Sequence, residues 1–218
     1  VMQYAFQLLP HPNVRYQSAL EKLGKAELQC MLLALDVFTE PRVESIGGTP
    51  FLTFECSALN EKALEQLSFL SSVYLWTRRD GEALIPLARP RERYLPEEMA
   101  EVLKYKGKTN AAFTSLMLNL ARSQSAFFHE KRPLTVLDPL CGKGTTLYCA
   151  LAQGMHAVGL DRDRKDLKEA MDFVNRSLQN QRIKHSLVQG SRSVPKGPAV
   201  PEATYTLADT REHYQAGD

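Results

Sequence analysis

Through residues 1–89 the apolar positions recur in short blocks whose period switches between two and about 3.6. Tyr4-Ala5-Phe6-Gln7-Leu8-Leu9 is an apolar run stopped by Pro10 and Pro12, which predicts a strand ending in a loop. Asn13 is placed as the N-cap of a helix that carries Tyr16, Leu20, Leu23, Leu28 and Met31 to about Leu35. Gly47-Gly48 then separates two extended stretches, 42–46 and 50–56. Asn60 is placed to cap a second helix bearing Leu64, Leu67, Leu70 and Val73, and the turn at Asp80-Gly81 leads into a last strand, 83–87. The order strand, helix, strand, strand, helix, strand is that of a ferredoxin-like unit, so residues 1–89 are predicted to form a small α+β domain. Such units bind RNA or protein in many settings, and no catalytic cluster lies on this one.

Residues 90–133 read as a linker and a helix. Arg89, Arg91 and Arg93 precede Pro96-Glu97-Glu98, where a proline in the first turn followed by acidic residues signals a helix start. The arginines suit either phosphate contact or a solvated linker surface. Asn110-Ala111-Ala112-Phe113 then leads into Leu116–Ala121, a helix with one strongly apolar face.

The chemistry is concentrated after residue 134. Leu134-Thr135-Val136-Leu137-Asp138 is a short β-rich run, followed by the glycine loop Pro139-Leu140-Cys141-Gly142-Lys143-Gly144 and by a threonine, in Thr145-Thr146, positioned to cap a helix over 147–152. Gly154 closes that helix. His156-Ala157-Val158-Gly159-Leu160 forms a second strand ending at Asp161, and Leu167, Ala170, Met171, Val174 and Leu178 then recur at helical spacing. This β-α-β-α succession predicts a doubly wound sheet with its ligand at the C-terminal ends of the strands. Gly142 and Gly144 permit a tight backbone turn close to a ligand. Asp161 stands where nucleoside-binding folds place an acid able to accept both ribose hydroxyls. A P-loop, G-x-x-x-x-G-K-S/T, fails because Lys143 precedes the second glycine, and a G-x-G-x-x-G fingerprint fails at Leu147.

Composition narrows the picture little. The 218 residues are 44% hydrophobic and 24% charged, with a formal net charge of +2, as in an ordinary globular chain. That charge neither demands nor forbids a nucleic acid. No apolar run reaches the roughly 18 residues of a membrane span, and the start of the chain lacks a secretory pattern. Cys30, Cys56, Cys141 and Cys149 form no C-x-x-C pair and have no histidine at zinc spacing, so no metal site is expected. They read as reduced cytoplasmic thiols. Cys141 has no partner base in view and is read as loop packing.

Asp138-Pro139-Leu140-Cys141-Gly142-Lys143-Gly144-Thr145 resembles the first motif, D-P-x-C-G-x-G-T, of S-adenosylmethionine (SAM)-dependent methyltransferases that act on exocyclic amines of nucleic-acid bases. Lys106-Gly107-Lys108-Thr109-Asn110 with Phe113-Thr114-Ser115 is similar to the segment preceding that motif in THUMP-containing tRNA guanine-N2 methyltransferases. The resemblance spans residues 106–178. It implies an incomplete Rossmann-like sheet over 134–218, SAM as cofactor, and an RNA substrate (tRNA or rRNA). It further implies cofactor contacts from Asn110, Phe113, Asp138, Pro139, Cys141, Gly142, Gly144, Thr145, Asp161 and Arg162. Asn110 and Phe113 suit plain helix entry equally well, and Arg162 and Asp163 suit solvated helix-start charges.

The amine-positioning tetrapeptide of those families, D/N-P-P-Y/F, does not occur in the sequence. Residues 134–218 have room for about three strands at the roughly 30 residues that a parallel crossover takes. The expectation is therefore the N-terminal part of a longer enzyme. Residues 190–203, rich in Pro, Gly and Ser, predict a mobile loop, with 204–207 a strand or a fraying end. The alternatives are a non-catalytic RNA- or protein-binding module of degenerate methyltransferase shape and a DNA amino-methyltransferase.

Overall fold

The computed structural model describes residues 1–10, 14–88, 95–96, 99–130, 132–195 and 197–208. Asn13, Arg89, Arg91, Arg93, Glu97 and Glu98, to which capping, phosphate-contact or helix-start roles are assigned above, lie outside the described residues. The chain divides into two compact units, Val1–Leu160 and Asp161–Asp218.

The first unit begins with β1 (Met2–Leu8), α1 (Val14–Ala34), β2 (Arg42–Ile46), β3 (Thr49–Cys56), α2 (Glu61–Leu67), β4 (Val73–Asp80) and β5 (Ala83–Pro86). The strands form one antiparallel sheet in the order β2-β3-β1-β4-β5. The helix-connected strands β1 and β2 thus have β3 between them. This is the split β-α-β arrangement expected from the element order, with β5 added at an edge. The pleat sends Tyr4, Phe6 and Leu8 of β1, Leu52 and Phe54 of β3 and Trp76 of β4 to one face, where they bury against Leu28, Met31 and Leu32 of α1. Tyr4 stacks on Phe54 at 5.2 Å, and Phe6 meets Phe54 edge-on at 5.3 Å. The Trp76 indole N–H donates to the Leu67 carbonyl at 3.0 Å, so its polar edge is satisfied inside the core.

The second helix is shorter than its apolar spacing predicts. It begins as expected, with Asn60 accepting from the Ala63 amide, but ends at Leu67, where the Ser68 hydroxyl donates to the Glu65 carbonyl at 2.7 Å. Leu70 and Val73 lie beyond it, Val73 opening β4, and both are buried. The same residues satisfy the same core through a different backbone. The fourth strand is therefore β4, and the stretch at 83–87 supplies the fifth, joined through Gly81 at φ 58°.

Beyond the sheet come α3 (Met99–Val102), α4 (Ala111–Ser123), β6 (Thr135–Asp138), α5 (Thr145–Ala152) and β7 (His156–Gly159). At the start of α3 the Met99 amide donates to the Pro96 carbonyl. α4 packs on α1 on one side and on α5 on the other. Its anchor to the sheet domain is polar. Glu27 of α1, fully buried, accepts from the Ser71 amide, the Ser71 hydroxyl at 2.8 Å and the Asn119 side-chain amide at 2.6 Å. Asn119 also donates to the Phe69 carbonyl at 2.7 Å. One turn along α4, the Arg122 guanidinium lies over the Phe69 and Phe128 rings, and burial pulls its pKa down to about 10 against the opposing pull of Glu65.

β6 and β7 pair in parallel and are joined by α5, one β-α-β unit. The second unit holds α6 (Arg164–Asn180), β8 (Lys184–Arg192) and β9 (Val200–Ala208), the two strands forming an antiparallel hairpin. Among the described residues, parallel pairing is confined to β6 and β7, and a larger Rossmann-like sheet is not formed. The expected loop at 190–203 is also corrected, since β8 runs through Arg192 and β9 starts at Val200. Arg192 and Glu202 clasp the hairpin through two bonds of 3.0 and 2.9 Å. Local antiparallel pairing closes a short loop, which costs less chain entropy than a long crossover. Pro201 is admissible in β9 because a two-stranded hairpin leaves half its amide positions outside the ladder.

Replacing Glu27 with alanine leaves the buried Asn119 amide and the part-buried Ser71 amide and hydroxyl without this acceptor, and the expected loss of unfolding free energy is about 2–4 kcal/mol by urea titration. Burial, opposed by the Asn119 and Ser71 hydrogen bonds, holds the Glu27 carboxyl above its ordinary 4.5. The folded chain therefore keeps this proton more tightly than the unfolded chain. Stability relative to Glu27→Gln should fall as pH rises from the unfolded carboxyl value through the raised folded one. Chemical denaturation of both proteins across that window checks the sign.

Candidate cofactor-binding loop

The loop between β6 and α5 is fixed by its own backbone. Leu160 donates its amide to the Asp138 carbonyl at 2.9 Å and accepts the Cys141 amide at 2.9 Å, tying both ends of 138–141 to the end of β7. The Asp138 carboxylate accepts from the Leu140 amide at 3.0 Å, an Asx turn that carries the chain past exposed Pro139. Gly144 then donates to the Cys141 carbonyl at 2.8 Å, closing a turn over 141–144.

The two glycines are needed for different reasons. Gly142 has φ 51° and open space around its Cβ position, so the requirement there is backbone conformation alone. Gly144 has φ 90°, and a Cβ would in addition lie 3.1 Å from the Tyr148 ring and hydroxyl. Gly144 is also the N-cap of α5, its carbonyl accepting from the Tyr148 amide at 3.0 Å. That corrects the expectation of a threonine cap, since both threonines lie inside α5, with Thr145 its first helical residue and buried. A left-handed residue at the cap position leaves Thr145 with helical dihedrals, so its hydroxyl turns to the Tyr105 hydroxyl at 3.2 Å. The Lys143 ammonium lies over the same tyrosine ring, 5.0 Å from its centre.

Cys141 is buried beneath the loop. Its side chain and that of Leu147 close on Gly159 of β7, where an added Cβ would lie 2.6 Å from Leu147 Cδ1 and 2.8 Å from Cys141 Sγ. This is the loop packing expected of Cys141. The Cys149 thiol reaches the Ala111 carbonyl at 3.6 Å and so ties α5 to the start of α4. There Asn110 caps α4, its side-chain oxygen accepting from the Phe113 amide at 3.0 Å. Asn110 thus takes part in helix entry. Phe113 is partly exposed on α4, as is Met117 four residues on.

No family model, curated protein or solved structure matches this chain. The site therefore stands on its own geometry.

Asp161 and Arg162 open the second unit. The Asp161 carboxylate accepts from the Asp163 amide at 2.8 Å, and Asp163 caps α6 by accepting from Lys165 and Asp166. Arg162 is exposed. Before α4, Lys108 is half-buried 4.0 Å from Glu101, and burial lowers its pKa while that carboxylate raises it. No helix among the described residues is long and apolar enough to cross a membrane. Among those residues no three His, Cys, Asp or Glu side chains are grouped to hold a metal ion.

The first unit thus brings Asp138, Pro139, Cys141, Gly142, Gly144 and Thr145 into one turn. Sequence reasoning missed Tyr105, Tyr148 and Gly159. For Gly159 a signal existed, because a glycine inside a strand marks close approach. Tyr105, in a polar segment without periodicity, gave none. A strand end that feeds a glycine turn and then a helix N-terminus presents first-turn amides that have no acceptor within the helix. Such an arrangement favours an electron-rich ligand group.

Gly159→Ala should lower stability by about 1–3 kcal/mol, the usual cost of overpacking, because Cys141 Cβ cannot retreat as Leu147 Cδ1 can. Thermal melts together with proteolysis across residues 138–147 would register both the loss and its location.

Proposed function

We propose that this chain binds SAM through the 138–145 loop and belongs to a methyltransferase that N-methylates a base in RNA. The observation that carries the reading is the D-P-L-C-G-K-G-T sequence at the turn between parallel β6 and α5, with Gly144 left-handed at the helix cap. The resemblance to amine methyltransferases assigns the methionine part of SAM to this loop. It assigns the ribose diol to Asp161, which follows β7 by two residues in the chain.

The reaction is a direct in-line displacement. The amine nitrogen forms a bond to the methyl carbon as the carbon–sulfur bond breaks, the nitrogen sheds a proton, and S-adenosylhomocysteine (SAH) leaves. SAM supplies the electrophile, and the residues of this chain would hold and orient it, one half of the alignment that proximity requires. RNA rather than DNA rests on the K-x-K-T-N-x-x-F-T segment, residues 106–114, which leads into the first turn of α4. A second reading, a non-catalytic binding module that keeps the cofactor turn, is favoured by the absence of D/N-P-P-Y/F from the sequence.

Calorimetry on the intact chain should show SAM and SAH binding, with Asp161→Ala weakening it about tenfold or more through the lost charged hydrogen bonds. A folded sample giving no heat with either compound would refute the cofactor reading. Transfer of labelled methyl groups to RNA separates the enzyme from the binding module, and label found in duplex DNA alone would overturn the choice of RNA.

A further inference from the structure

Tyr105, in the segment joining α3 to α4, touches the glycine loop on both sides of Gly144. Its ring carries the Lys143 ammonium at 5.0 Å, and its hydroxyl meets that of Thr145 at 3.2 Å. The two contacts straddle Gly144, whose φ of 90° is the most extreme of the loop. A glycine turn has more unfolded freedom than any other and gains most from an external hold. α3 and α4 both pack on α5, which keeps the segment bearing Tyr105 close to the loop.

We propose that Tyr105 is a positioning residue for the cofactor loop, clamping the Lys143–Thr145 bend so that its backbone is already in the ligand-bound shape before SAM arrives. The inference rests on the SAM reading above. A loop ordered in advance loses less entropy on binding, so the clamp acts on affinity without contacting the cofactor. The ring and the hydroxyl contribute separately. The ring holds the cation before Gly144, and the hydroxyl holds the helix start after it.

The test compares Tyr105→Phe, which keeps the ring, with Tyr105→Leu, which keeps neither contact, in the full chain. Amide hydrogen exchange without ligand should quicken at residues 141–146 in both variants and stay unchanged at 116–122 in α4. The SAH dissociation constant should rise about tenfold in Tyr105→Leu and about threefold in Tyr105→Phe, sizes set by one cation–π contact and one neutral hydrogen bond. The partial rescue by phenylalanine, at an unchanged melting temperature, separates positioning from a general packing role. Normal SAH binding and normal loop exchange in both variants would overturn the inference alone. So would a fall in melting temperature with faster exchange throughout α4 and α5, because Tyr105 would then be an ordinary packing residue. If the unaltered chain binds neither SAM nor SAH, the cofactor reading fails and takes this inference with it.

Discussion

Two backbone hydrogen bonds to Leu160, one from each of its peptide groups, hold the rest of the site in place. They extend the β6–β7 ladder past its last paired residues and fasten the loop before it turns. Everything after that point is a consequence of chain geometry. With Asp138 and Cys141 pinned, the chain has three residues in which to reverse into α5, and it does so through two positive-φ glycines. Without those bonds the Asx turn at Asp138 would be a local preference with nothing to orient it.

The loop is joined to the N-terminal sheet through α4. Within the first unit that helix is bound at both ends by polar contacts. At its start the Ala111 carbonyl meets the Cys149 thiol of α5, and further along Asn119 is held by buried Glu27 of α1. A buried carboxylate held by three donors is costly to desolvate and costly to disrupt, so it favours one registration of α4 against α1 over sliding alternatives. On the sheet Arg79 faces Glu44 at 3.3 Å, and Gln3 donates to Glu55 at 2.8 Å. The RNA reading draws its support from residues 106–114, at the entry to α4, and not from these sheet residues.

Much of this was legible in the residues. The split β-α-β order, the Asn60 cap and the strand–glycine loop–helix unit followed from periodicity and turn chemistry, because local and tertiary demands agree there. The failures have one cause. Apolar spacing records which residues reach the core and says less about which backbone takes them there. Leu70 and Val73 fit a helical face yet are buried from a turn and a strand. Residues 190–203 have the composition of a loop, yet their outer parts pair as a hairpin whose register no single-strand pattern reveals. Thr145 has the chemistry of a cap, but Gly144 already occupies the cap position with dihedrals a threonine rarely adopts. The Tyr105 contacts escaped because they join distant residues through a cation, a ring and two hydroxyls, none with a periodic signature.

The side-chain contacts that hold the loop come mainly from the α5 side. Parallel strands are ordinarily enclosed on both faces, whereas here Leu137 is 60% exposed and Val158 45% exposed on the face turned away from Gly159. Burial on that outer face contributes little to holding β6 and β7. The opposite face carries the close contacts: Leu147 and Cys141 against Gly159, and Tyr148 against Gly144. Each involves α5 or the loop that starts it, so α5 and the glycine turn behave as one packed piece. Tyr105 reaches that piece at Thr145, on its first turn. A ligand group meeting the first-turn amides would thus meet donors whose positions are set by side-chain packing behind them, which is the condition under which a helix start binds without first paying to become ordered.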